Sequence, residues 1–183
     1  MKKILLILCI GLYSIFSNAT TMTKAGSIEG FEYSSSIKRS LSRELSVWVS
    51  TNQIQIGTAN SMGGTFVDFD ADVLGRASQF SALLAKALEW GDIAIKNNAD
   101  VSKSVGVIKD KGQVEIMFSS IVSNGVTTVS VRIDIEDWEN RFFSSKVYLM
   151  GLEQIREFKS IFDNIGIVLE EAQRKQSNES LFN

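Results

Sequence analysis

Three aspartates, Asp68, Asp70 and Asp72, alternate along one short segment. On a strand the first two share a face and the third follows at the start of the next element. Their carboxylates could then converge as oxygen ligands for calcium or magnesium. The segment lacks the glycine and closing glutamate of a calcium-binding hand, because Val73 and Gln79 occupy those places. Asp72 also has a competing use as a helix cap at the positive end of the dipole. Ser35-Ser36-Ile37-Lys38 has the Ser-x-x-Lys spacing that sets a nucleophile and an amine on one helical face. Neither companion motif of the β-lactamase type accompanies it, and its plainer reading is a polar loop or capping segment. A further acidic group, Asp134, Glu136, Asp137 and Glu139, sits at a strand end and turn. Neighbours on one turn do not face each other across a cleft, as glycoside hydrolysis requires. The chain has no histidine, which removes the Ser-His-Asp arrangement. An exported hydrolase using a Ser/Lys or a carboxylate pair is the catalytic alternative these residues leave.

The aromatic residues point elsewhere. Trp48, Phe66, Phe142 and Tyr148 fall on the polar phase of their strands, opposite the residues assigned to the core, and Arg132 and Lys146 accompany them. If the strands share a sheet, its outward side carries exposed rings that could stack bases, hold an apolar ligand or dock a protein. These six residues are the expected ligand or partner surface. The plainer expectation is that a helix or the other half of the molecule covers them.

Period-two alternation defines the strands that would position these groups. Leu45, Val47 and Val49 run to a tight turn at Thr51-Asn52 and return through Ile54 and Ile56. Gly63-Gly64 supplies the next turn, and Val67, Phe69 and Ala71 form a third strand. From Asp72 the period becomes helical, with Val73, Ala77, Phe80, Leu84, Ala87, Gly91 and Ala94 on one stripe and Asn97-Asn98 to end it. The small residues on that stripe allow close backbone approach. The second half repeats the plan. A short apolar stretch at Val105 to Ile108 and a turn at Asp110-Lys111-Gly112 lead into Val114, Ile116 and Phe118. Ser123-Asn124-Gly125 turns the chain into Val129, Val131, Ile133 and Ile135. Phe143, Val147 and Leu149 make a last strand, followed by one helix with Leu152, Ile155, Phe158, Phe162, Ile165 and Leu169 on its stripe.

Leu74, Ala77, Phe80, Leu83 and Leu84 fall in register with Leu152, Ile155, Phe158, Ile161 and Phe162. The strands leading in align as Phe69 and Ala71 against Val147 and Leu149. The fold class expected is α+β, with antiparallel sheet and two long amphipathic helices, read as a duplicated unit of three or four strands and a helix. Any two amphipathic helices after strands align in this manner, so the duplication is an expectation and no more. The order of elements is similar in outline to the Whirly family of single-strand nucleic-acid binders. That resemblance implies outward aromatic residues for stacking bases.

Composition bears on that implication. Met1-Lys2-Lys3 precedes an uncharged apolar run from Ile4 to Phe16, and Ser17-Asn18-Ala19 offers small residues for a peptidase, the layout of a cleaved secretory signal. The run is short for a membrane span, which needs about 20 residues. Cys9, the one cysteine, lies inside it and follows Leu8 rather than a small residue, against lipidation. Cleavage after Ala19 leaves 164 of the 183 residues, without cysteine or histidine and with a net charge of −4. Disulfides and zinc sites of sulfur or imidazole are excluded, and electrostatic steering toward nucleic acid is absent. The expected organisation is a signal at 1–19, a flexible mature terminus at 20–27, one α+β domain at 28–173 with repeats 28–98 and 105–173, and a polar tail at 174–183. The expected protein is periplasmic or secreted, non-catalytic and without a cofactor or a membrane span after cleavage. It binds a protein or cell-envelope component as a monomer or homodimer, with nucleic acid disfavoured.

Overall fold

The computed structural model describes residues 21–34, 39–60, 63–139 and 145–180. Eight strands form one antiparallel sheet: β1 (Thr23–Ser34), β2 (Arg39–Ser50), β3 (Gln53–Asn60), β4 (Gly63–Asp70), β5 (Val101–Lys109), β6 (Gly112–Ser123), β7 (Val126–Asp137) and β8 (Ser145–Met150). Helix α1 (Val73–Asn97) follows β4, while α2 (Leu152–Asp163) and α3 (Ile165–Ser180) follow β8. The spatial order β4-β3-β2-β1-β8-β7-β6-β5 consists of two four-strand meanders joined through β1 and β8. The protein is therefore α+β, each half contributing four strands, followed by one helix in the first half and two in the second.

Local chemistry accounts for most of these elements. The buried side of α1 consists of Val73, Ala77, Phe80, Leu84, Ala87, Gly91 and Ala94, the stripe expected from the helical period. Asp72 caps its start by accepting from the Gly75 N–H at 3.1 Å, and left-handed Asn98 closes its end. Asn124 and Gly125, both at positive φ, make the two-residue turn from β6 to β7. Gly91 brings α1 against α2, since a Cβ there would meet Leu152 Cδ2 at 2.8 Å.

The sheet curls over these helices. At its far side the β5–β6 turn is fastened to the end of β4: the Asp70 N–H donates to Asp110 Oδ2 at 3.1 Å, and Lys111 pairs with Asp70 at 2.7 Å. Arg76 of α1 lies 3.5 Å from the same Asp110 carboxylate. Phe80 stands in the enclosed core, packed edge-on to Phe69 of β4 and face-on to Phe162 of α2, so both halves share one interior.

Several expectations need correction. Of the terminus expected to be flexible at 20–27, residues 23–27 are strand instead, because β1 begins at Thr23 and pairs with β2 along its length. Gly63 and Gly64 do not form a turn; they open β4 opposite Asn60 and Ala59. The second helix is broken at Asn164, whose side-chain amide donates to the Ser160 carbonyl at 2.8 Å and competes with the helical ladder. The 174–183 tail continues α3 as far as Ser180. In β8 the phase is inverted: Tyr148 and Met150 are buried, whereas Leu149 is exposed and Val147 half-buried. The helix-based alignment of the halves carried that error. Buried Ala77 lies eight residues after buried Phe69, whereas its counterpart Ile155 lies seven after buried Tyr148, so helices in register leave the strands one residue out of phase.

Candidate functional site

Alternation along β2, β3 and β4 sends Trp48, Gln55, Phe66 and Asp68 to the side of the sheet opposite the buried Val47, Ile54, Ile56, Val67 and Phe69. The register lays them out in two rows. Lys24, Trp48, Gln55 and Asp68 stand side by side across β1 to β4, and Ser27, Ser46, Gly57 and Phe66 form the row beside them. Trp48 and Phe66, 18 positions apart in the chain, thus share one groove of about 410 Å³ with Met22, Lys24, Glu44, Ser46 and Gln55. Both rings are half-buried.

Glycine explains how Phe66 lies. A Cβ on Gly57 would fall 2.7 Å from Phe66 Cδ1, and one on Gly64 would fall 2.3 Å from Cε2 and 3.0 Å from Cδ2. The ring therefore occupies the space that side chains would fill on the neighbouring strand and two residues back on its own, covering bare backbone. Ser46, next in the row, is 9% exposed.

Polar groups at the groove are already ordered. Lys24 donates to Glu44, as does Ser46 Oγ at 2.8 Å, and Gln55 Nε2 donates to Asp68 Oδ1 at 2.9 Å. The hydrogen bond from Lys24, aided by Ser46 and Ser27, lowers the Glu44 pKa from 4.5 to about 2. A carboxylate with a lowered folded-state pKa contributes stability that is present above pH 4.5 and lost as pH falls through about 2. Half-exposure and solvent screening hold the contribution below about 1 kcal/mol. Thermal melts should show Glu44→Gln slightly less stable than the native chain at pH 6 and equal to it near pH 2; an undiminished gap at pH 2 would refute this assignment.

Across the β1–β8 seam, Phe31 pairs with Leu149 on the same outer side, and these two are 51% and 38% exposed. Leu149 in turn neighbours Arg132, whose guanidinium binds Asp134 at 2.8 Å. Burial raises the Asp134 pKa, opposed by Arg132. Phe31 was not expected here. The positions of β1 that face inward with Ile28 are Gly26, Gly30 and Glu32, which leaves no apolar alternation to reveal the strand.

The six expected surface residues therefore part company. Trp48 and Phe66 converge, and Arg132 lies on the same outer side near the seam. Tyr148 is instead fully buried opposite Ile133, beside Thr58 but without hydrogen-bond geometry, and desolvation pushes its pKa up. Lys146 also faces inward, opposite Ile135, and donates to Glu32 at 2.5 Å. Both corrections follow from the inverted phase of β8. Phe142 lies outside the described residues, as do Ser35, Ser36 and Lys38.

The three aspartates do not converge on a metal. Asp68 accepts from Gln55, Asp70 pairs with Lys111, and Asp72 caps α1 beyond the left-handed Ala71, at φ 59°. That turn carries Asp72 off the strand face. Among the described residues no group of three carboxylates could hold a metal ion, and no helix is long and apolar enough to cross a membrane. No protein-family model matches the chain, and no curated protein matches it significantly.

Proposed function

We propose that the mature chain is an exported, non-catalytic binding protein that holds a cell-envelope component or protein partner on the outer side of β1 to β4. One observation carries this reading: Trp48 and Phe66 come from different strands to line a single groove, on the side of the sheet turned away from the core. Rings of this kind, partly buried and framed by polar side chains, supply most of the affinity in recognition surfaces. The apolar run before Ala19 supports the compartment.

Replacing Trp48 or Phe66 by alanine should cost about 2 kcal/mol of binding, near thirtyfold. Co-sedimentation of the chain starting at Thr20 with isolated cell envelopes provides the measurement. Retention of full binding by both variants would rule the groove out.

The division into two halves of four strands, each followed by helical segments, favours single-strand nucleic-acid binding as a second reading. Glu44 and Asp68 at the groove and the charge of −4 work against phosphate.

A further inference from the structure

The groove around Trp48 and Phe66 carries ring faces, neutral hydrogen-bonding groups and carboxylates together, and that combination narrows the ligand. We infer that it binds an uncharged oligosaccharide, a deepening that rests on the binding reading above. Phe66 is held over the backbone of Gly57 and Gly64, so the ring is propped from below by the sheet and presents its outer side to the groove. A ring face carries the negative part of the aromatic quadrupole. The ligand surface that suits it is a flat array of weakly positive C–H groups, which a pyranose offers on one face.

The polar lining suits the other faces of such a ring. Gln55 keeps its carbonyl oxygen as an acceptor while its amide is committed to Asp68, and Ser46 and Glu44 add acceptors for hydroxyl donors. Among the described residues, the one cation lining the groove, Lys24, is neutralised by Glu44. A polyanion would meet Glu44 and Asp68 without a compensating free cation among the described residues of that lining, whereas hydroxyl groups meet no charge penalty. Trp48 and Phe66 stand on strands two apart, so their backbones are separated by about 10 Å across the sheet. Two platforms at that separation match a short chain of sugars better than one.

The test is calorimetric titration of the chain starting at Thr20 with chitohexaose, cellohexaose and laminarihexaose, beside oligothymidylate as the polyanionic control. At least one neutral hexasaccharide should bind, and Trp48→Ala should weaken it by at least about tenfold. Phe66→Leu keeps an apolar cover over Gly57 and Gly64 while removing the ring face, so the same loss in a variant with native thermal stability separates stacking from folding. Binding of oligothymidylate alone, weakening as salt rises, overturns the sugar assignment. So does the absence of heat with all three sugars at about 1 mM, when envelope co-sedimentation still depends on Trp48; the groove then takes a protein. If envelope binding ignores both rings as well, the binding reading falls together with the sugar.

Discussion

Phe80→Ala is expected to lower the unfolding free energy by about 3–5 kcal/mol, the range for truncating a fully enclosed aromatic ring. Phe80 is 0% exposed. Its ring centroid lies 4.7 Å from Phe162 in a stacked pair and 5.2 Å from Phe69 edge-on, and Phe162 meets Phe158 at 5.1 Å. Alanine removes the member of this chain that touches both β4 and α2, and the surrounding sheet cannot collapse into the gap without breaking strand pairing. For a chain of this size each kcal/mol corresponds to about 2–4 °C, so the midpoint should fall by roughly 10 °C. Urea titration with a two-state fit provides the energy. A double-mutant cycle with Phe162→Ala should return a coupling of about 0.5–1.5 kcal/mol. A loss below about 1 kcal/mol for Phe80→Ala would mean that the two halves do not share a core.

Glu32→Ala should cost about 3 kcal/mol, for a different reason. Glu32 of β1 is paired opposite Tyr148 and so faces the interior, where its carboxylate receives Lys146 at 2.5 Å and Arg43 Nε lies 3.8 Å away. The side chains of Glu32 and Lys146 are only 14% and 20% exposed. Removing the acid strands the Lys146 ammonium beside Ile135 and the buried Tyr148, and the expense is the unpaired charge more than the lost attraction. Arg43, 44% exposed, can turn to water. The paired replacement Glu32→Leu with Lys146→Met should recover most of the loss, because apolar side chains of similar size need no counter-charge. Urea midpoints of the single and double variants measure both effects. If Glu32→Ala unfolds within about 0.5 kcal/mol of the native chain, the pair is solvated and does not hold the seam.

The groove was legible in part for the same reason that the seam was not. Trp48 and Phe66 alternate with a run of apolar inward positions, Leu45, Val47 and Val49 in one strand and Val67 and Phe69 in the other, so the opposite phase could be assigned from alternation alone. Lys24, Glu44 and Gln55 join them only through cross-strand register, which no single strand records. The placement of Tyr148 and Lys146 failed because β8 puts a lysine on its inward phase and a leucine on its outward one. That inversion is accommodated because Glu32 pairs with Lys146 and because Gly30 leaves room for inward-facing Met150, whose Cε would lie 2.9 Å from any Cβ there.

Read on its own, the chain determined whatever depends on neighbours within a few residues. The seven-residue stripe of α1, its Asp72 cap, its Asn98 end and the Asn124-Gly125 turn are consequences of backbone preference and side-chain period. Only the tertiary structure decided how β1 and β8 meet, and with it which face of β8 is inside and where Phe31 and Leu149 emerge. Alternation shows that a strand has two unlike faces; which one is enclosed depends on tertiary partners, and inward-facing Lys146 meets its partner Glu32 114 residues away.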